Sequence, residues 1–188
     1  MQLGAMVVQA AGDNAGGGNE LYKKTLGVVG LGKIGSHVAR VARAMGMQVI
    51  AYDPFIAADR AQQMQVSLTQ LDELFRTADY ITLHIPRTPD TENLVNAELL
   101  RSMKSTARIV NCARGGIVDE SDLAEAVDNG VIAGAGLDVY ASEPLAADSP
   151  LRSVERGLVL TPHLGASTEE AQENVAIDAV SYTHLRAH

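Results

Sequence analysis

The chain has 188 residues, of which 46% are hydrophobic and 20% charged, a composition typical of one globular domain with a substantial core. Its net charge of −8 argues against nucleic acid or an anionic membrane surface as the main partner, and a single cysteine excludes an intrachain disulfide. The sequence has neither an apolar run of the roughly 20 residues that span a bilayer nor a secretory leader, so we expect a soluble cytoplasmic protein.

Residues 1–20 are irregular and glycine-rich, which predicts an N-terminal segment or linker. Hydrophobic patterns then predict strands at 26–29, 48–52, 80–85, 107–112, 131–139 and 158–161, and helices at 38–45, 57–64, 71–77, 97–103, 119–129 and 167–180. Because strands and helices alternate, we expect residues 21–180 to form a Rossmann-like, doubly wound parallel α/β sheet with helices on both faces. Residues 181–188 break the pattern and are predicted to be a disordered tail or truncation scar.

A G-x-G-x-x-G motif, Gly30-Leu31-Gly32-Lys33-Ile34-Gly35, follows the first predicted strand. Its first glycine permits a tight turn, its second lets backbone N–H groups approach a pyrophosphate, and its third lets the helix pack closely. Asp53 ends the second strand, where a carboxylate accepts hydrogen bonds from a ribose 2′-OH and repels a 2′-phosphate. We therefore predict NAD rather than NADP. The alternative is an ordinary βαβ turn that binds nothing, against which the complete order of elements argues.

Three residues with side chains that could take part in catalysis follow the last three predicted strands, one after each strand. Arg114 can hold a carboxylate through two hydrogen bonds, and His163 can exchange a proton with an alkoxide. Glu143 can orient the histidine ring and favour its charged form. Each residue alone is more often a surface or capping residue, but together, at the edge of the sheet where ligands bind, they predict a hydride-transfer site. Cys112 is interpreted as a small buried hydrophobe rather than a nucleophile.

Four segments of the chain resemble the D-isomer-specific 2-hydroxyacid dehydrogenases: GLGKIG with AYDP, NCARGGIVDE, AGAGLDVYASEP and TPHLGASTEEAQENVA. The resemblance extends from about residue 21 to residue 179. It implies NAD-linked oxidation of a 2-hydroxyl to a 2-oxo acid. Within the family, NCARGGIVDE and PHLGAST point to the phosphoglycerate branch, whose product begins serine biosynthesis. Two other functions stay open, another D-2-hydroxyacid dehydrogenase such as a glyoxylate/hydroxypyruvate reductase, or a non-catalytic NAD-sensing protein.

The resemblance also implies roles for individual residues. Arg114 corresponds to the arginine that binds the substrate carboxylate, Glu143 to the partner of the histidine, and His163 to the acid–base catalyst. Beyond the glycines and Asp53, the positions that match coenzyme contacts are Lys33, Ile34, Ile85, Cys112, Ala113, Arg114, Asp138, His163, Gly165 and Ala166. No metal is expected. Family members carry a substrate domain outside the coenzyme domain, so we expect this chain to be a fragment of a longer protein that lacks part of the substrate site. Family members also tend to form dimers, so we expect the full-length protein to be a homodimer or larger.

Overall fold

Seven parallel strands form one sheet in the computed structural model, which describes residues 19–165. The strands are β1 (Thr25–Val29), β2 (Gln48–Tyr52), β3 (Ser67–Leu68), β4 (Tyr80–Leu83), β5 (Arg108–Asn111), β6 (Gly134–Leu137) and β7 (Leu158–Leu160). Their order across the sheet is β3-β2-β1-β4-β5-β6-β7, and every neighbouring pair is parallel. The chain winds outward from β1 in one direction and then from β4 in the other, which confirms the predicted fold class.

Five α-helices connect the strands in the part of the chain that the structure describes. They are α1 (Lys33–Ala44), α2 (Ala58–Gln63), α3 (Leu71–Thr77), α4 (Ala97–Ser102) and α5 (Glu120–Asp128), and a short 3-10 helix covers Pro150–Ser153. Side chains cap two of them, since Asn96 accepts hydrogen bonds from the first N–H groups of α4 and Asp119 from those of α5. None of the helices within residues 19–165 is long and apolar enough to cross a membrane.

The sequence-based prediction differs from the structure at a few boundaries. The prediction missed β3, a two-residue edge strand with both side chains exposed, because it carries no alternating pattern. Helix α1 begins inside the glycine motif, at Lys33, rather than at residue 38. The sixth strand begins at Gly134 rather than at residue 131, because three bend residues precede it. The helix predicted at 167–180 and the two terminal segments lie outside the described residues.

Two apolar clusters cover opposite faces of the sheet. Val28 and Val29 are both fully buried, and because successive strand residues point to opposite faces, they belong to different clusters. One cluster packs α1 against β1 and β2, and the other packs α3, α4 and α5 against the strands from β4 onward. The sheet is therefore covered on both faces, and its carboxyl edge is left for the loops that carry polar side chains.

The contact between Gly27 in β1 and Leu74 in α3 is tight enough to couple the two positions. A methyl group at Gly27 would lie 2.5 Å from Leu74 Cδ2, and Leu74 is fully buried. We expect Leu74→Ala to lower the free energy of unfolding by about 2–5 kcal/mol through the cavity it leaves, and Gly27→Ala to lower it by about 1–3 kcal/mol through overpacking.

In the double variant, the new methyl group enters the space vacated by the leucine. Urea unfolding should then show a combined loss that is smaller than the sum of the single losses by about 0.5–3 kcal/mol. Strictly additive losses would contradict this description of the β1–α3 contact.

Candidate active site

The glycine motif forms a tight turn against the end of β4. Gly30 has φ +95°, and a methyl group there would lie 2.7 Å from the carbonyl oxygen of His84. A methyl group at Gly35 would lie 1.9 Å from the carbonyl oxygen of Gly30, so the first turn of α1 touches the loop that precedes it. Both glycines are therefore required by the fold itself.

The middle glycine of the motif faces open space. A methyl group at Gly32 would meet no protein atom within 4 Å, and α1 begins there without a side-chain cap. Gly32 and the first N–H groups of α1 therefore form a cradle at the positive end of the helix dipole, which suits a pyrophosphate. Lys33 and Ile34 are exposed beside this cradle, while Ile85 is half-buried against the turn near Gly30.

Asp53 ties the glycine turn to the loop after β2. Its Oδ2 accepts a hydrogen bond from Leu31 N at 2.7 Å, and its Oδ1 accepts from Phe55 N at 2.9 Å and Ile56 N at 3.2 Å. A carboxylate has about four acceptor positions, so one is left for a ribose hydroxyl. The sequence indicated a ligand contact here, and the structure adds a role in holding the loop that the sequence did not reveal.

A half-buried histidine supports the same turn. His84 follows β4, its Nε2 lies 3.0 Å from Thr82 Oγ1, and burial lowers its pKa to about 4. At neutral pH the ring is therefore uncharged. The sequence analysis did not identify this residue, although a histidine that continues an apolar strand is a signal that could have marked it.

The loop after β5 is closed by Asn111, which is buried. Its Oδ1 accepts a hydrogen bond from Ala113 N at 3.0 Å, and its Nδ2 donates to the carbonyl oxygen of Arg114 at 2.9 Å. Arg114 is exposed, and its Nη1 donates to the carbonyl oxygen of Ala113 at 2.6 Å. Burial raises the pKa of the half-buried Cys112 thiol to about 11, so this thiol stays protonated at neutral pH.

Glu143 and His163 form a hydrogen-bonded pair. Glu143 Oε2 lies 2.6 Å from His163 Nδ1, and Glu143 Oε1 accepts from Tyr140 N at 3.1 Å. The hydrogen bond with His163 is the main cause that lowers the pKa of the Glu143 carboxyl. His163 has φ +54°, a left-handed conformation that is uncommon outside glycine. The pair is open to solvent, because the two side chains remain 37% and 48% exposed, respectively.

Asp138 holds the segment that presents His163. This buried carboxylate accepts hydrogen bonds from Thr161 Oγ1, from Leu164 N at 2.8 Å and from Gly165 N at 2.9 Å. The resemblance implies that Asp138 lies on the nicotinamide side and Gly165 beside His163, and the structure shows that both oxygens of Asp138 bind this loop. Ala166 lies outside the described residues.

The three candidate catalytic residues, Arg114, Glu143 and His163, lie at one edge of the sheet, because they follow β5, β6 and β7, which are adjacent and parallel. The loops after β5 and β6 meet through their backbones, since a methyl group at Gly115 would lie 1.6 Å from the carbonyl oxygen of Tyr140. A cleft of about 320 Å³ opens beside the Glu143–His163 pair. It is also lined by Tyr140, Leu145, Arg152 and Leu160.

The low pKa of His84 predicts how stability depends on pH. An unfolded histidine binds a proton near pH 6.5, whereas folded His84 binds one only near pH 4, so the unfolded state holds more protons between these values. The free energy of unfolding should therefore fall by up to ~3 kcal/mol as the pH decreases from about 6.5 to about 4. Urea unfolding at several pH values should show a flatter dependence in His84→Asn than in wild type. The exposed His37→Asn is the control, and an equal flattening there would contradict the assignment to His84.

The contrast between Gly32 and Gly35 predicts a separation of binding from stability. Gly32→Ala should change the free energy of unfolding by less than about 1 kcal/mol, because its extended backbone accepts alanine and the methyl group meets nothing. It should nevertheless weaken NADH binding at least tenfold, because the methyl group fills the cradle. Gly35→Ala should cost about 3 kcal/mol of stability through its clash with Gly30. Unchanged NADH affinity in a folded Gly32→Ala chain, measured by fluorescence titration, would contradict the assigned cradle.

Comparison with known proteins identifies relatives of the whole described region. The family model "D-isomer specific 2-hydroxyacid dehydrogenase, NAD binding domain" matches residues 3–165. The D-3-phosphoglycerate dehydrogenase of Synechocystis sp. is 64% identical over 161 residues, which cover 86% of this chain and 29% of that protein. The protein of the same name from Bacillus subtilis is 52% identical over 85% of this chain and 30% of its own length. The chain thus spans about 30% of the length of these curated relatives.

Solved structures show the same fold. A D-lactate dehydrogenase from Aquifex aeolicus, complexed with NAD and lactic acid, superposes with a TM-score of 0.80 at 33% identity over 93% of this chain and 56% of that chain. A glyoxylate reductase from Paecilomyes thermophila superposes with a TM-score of 0.81 at 30% identity over 94% of this chain and 56% of that chain. This chain belongs to the D-isomer specific 2-hydroxyacid dehydrogenase family and corresponds to its NAD-binding domain.

Proposed function

We propose that this chain is the coenzyme-binding part of an enzyme that oxidises D-3-phosphoglycerate to 3-phosphohydroxypyruvate in serine biosynthesis. The observation that carries the proposal is the Glu143–His163 pair, with 2.6 Å between Oε2 and Nδ1, at the same sheet edge as Arg114. The choice of substrate is supported by relatives named D-3-phosphoglycerate dehydrogenase at 64% and 52% identity, against 30% for the glyoxylate reductase.

The proposed chemistry divides between the coenzyme and the side chains. When NAD is bound, it supplies the acceptor for the hydride that leaves C2 of the substrate. His163 takes the proton of the 2-hydroxyl at Nε2, since its Nδ1 is engaged with Glu143. Glu143 stabilises the resulting imidazolium, and Arg114 holds the substrate carboxylate and polarises the carbonyl that forms.

The coenzyme residues are proposed from the open cradle and the surrounding loops. Gly30, Gly32 and Gly35 shape the turn, with Lys33 and Ile34 at the pyrophosphate. Asp53 binds the adenosine ribose through its remaining acceptor position. Cys112, Ala113 and Asp138 are proposed to contact the nicotinamide side, and Ile85, Gly165 and Ala166 are further proposed coenzyme contacts, together with Arg114 and His163.

The complete enzyme requires more than this chain. Since the chain spans about 30% of its curated relatives, the second wall of the substrate cleft is assigned to the remaining part of the full-length protein. A cytoplasmic location, supported by the single cysteine, and a homodimer or larger assembly, supported by the family resemblance, belong to the same proposal.

The first test is an NADH fluorescence titration of the chain, followed by turnover assays of the complete enzyme that carries this domain. We expect the chain to bind NADH, and the complete enzyme to reduce 3-phosphohydroxypyruvate with a higher kcat/KM than hydroxypyruvate or glyoxylate. A higher kcat/KM for glyoxylate would replace the proposed substrate, and NADH binding without turnover on any 2-oxo acid would favour an NAD-sensing protein.

The role of His163 is tested in the complete enzyme. His163→Ala should lower kcat about 10²–10⁴-fold, the usual contribution of general acid–base catalysis. The Kd for NADH serves as the control and should change little, because the glycine cradle is untouched. Near-normal turnover would refute the assignment of His163 as the acid–base group.

A further inference from the structure

A second glutamate contacts the turn that carries Glu143. Glu120 is the first residue of α5, and its Oε1 accepts a hydrogen bond from Ala141 N at 2.6 Å. The two residues are separated by 21 positions in the sequence, and Glu120 is half-buried. The contact therefore joins the start of α5 to the loop after β6, two segments that are not linked by hydrogen bonds between paired strands.

The turn between Tyr140 and Glu143 is held by two successive N–H groups. Tyr140 N donates to Glu143 Oε1 at 3.1 Å, and the next N–H, that of Ala141, donates to Glu120. Glu143 uses its other oxygen for His163. The orientation of the Glu143 carboxylate thus depends on a turn whose neighbouring peptide group is fixed by Glu120.

The same turn is confined on its other side by the loop after β5. A methyl group at Gly115 would lie 1.6 Å from the carbonyl oxygen of Tyr140 and 2.9 Å from Ala141 N. The peptide group between Tyr140 and Ala141 is therefore held between the Gly115 backbone and the Glu120 carboxylate. Losing the hydrogen bond to Glu120 would remove the restraint on one side of this peptide group, which lies in the turn that orients Glu143.

We propose that Glu120 is a positioning residue that holds Glu143 in hydrogen-bonding geometry with His163. The inference rests on the proposed function, in which that pair is the acid–base unit. A carboxylate suits the task because a hydrogen bond to an ionised acceptor is stronger than one to a neutral acceptor. A glutamate that only complemented the helix dipole would affect stability and leave the geometry of the pair unchanged.

The test uses proton NMR of the 188-residue chain at low temperature. An imidazole Nδ1–H that donates to a carboxylate gives a signal far downfield of the backbone amides, and His163→Gln and Glu143→Ala assign it by removing one partner each. Glu120→Ala should weaken this signal or broaden it beyond detection, whereas Glu120→Gln, which keeps an acceptor oxygen, should retain it. The matched control is the exposed Glu125 on the same helix, where Glu125→Ala should leave the signal unchanged.

Stability is measured in parallel to separate positioning from folding. An unchanged signal in Glu120→Ala, with or without a lower Tm, would overturn the proposal. If Glu120→Ala does not fold, Glu120→Asp and Glu120→Gln replace it. The shorter aspartate withdraws the acceptor from Ala141 N and should give the weaker signal of the two, and equal signals would overturn the proposal.

A kinetic comparison in the complete enzyme separates this inference from the proposed function. Glu120→Ala should lower kcat about tenfold, the effect of losing one hydrogen bond worth ~1.4 kcal/mol, with little change in the KM for NADH and with recovery in Glu120→Gln. An enzyme without oxidoreductase activity would refute the proposed function, while the NMR signal would still decide the role of Glu120.

Discussion

Side-chain carboxylates that accept backbone N–H hydrogen bonds hold the carboxyl edge of this sheet together. Loops at that edge lack the regular backbone hydrogen bonds that join neighbouring β-strands, yet they must present side chains in fixed positions. Asp53 holds the glycine turn, Asp138 holds the segment around His163, and Glu143 and Glu120 hold the turn after β6. Each of these bonds satisfies a polar group that would otherwise compete for water, and each is strengthened by the charge on the acceptor.

Glycines bring the loops that these carboxylates hold close to neighbouring backbone. The contact between Gly35 and Gly30 brings α1 against the turn that Asp53 holds. The contact of Gly115 with the backbone of Tyr140 brings the loop that carries Arg114 beside the turn that carries Glu143. Close backbone approach and carboxylate hydrogen bonds therefore act on the same segments.

The fold and the edge that carries the site followed from local features of the sequence. Apolar runs that end in glycine, proline or a charged residue mark parallel strands, and parallel strands place Arg114, Glu143 and His163 at one edge. The features that the sequence did not reveal are hydrogen bonds between segments that are far apart in the sequence and close together in the folded chain. Glu120 looks like an ordinary first-turn helix residue, and its partner Ala141 lies in another loop. The anchoring roles of Asp53 and Asp138 were hidden in the same way, because a motif identifies a residue and not its hydrogen-bond partners.

The exposure of the Glu143–His163 pair explains why the proposed enzyme needs more than the geometry of these two side chains: it also needs a part that excludes water from them. With side chains 37% and 48% exposed, the pair is partly open to water, which screens charge interactions. Proton transfer and stabilisation of a developing charge gain most when water is excluded around a site that is already ordered. The hydrogen bonds within this chain fix the geometry of the pair without the second wall of the cleft. In the proposed enzyme, the second wall of the cleft then has only to exclude water and bind the rest of the substrate.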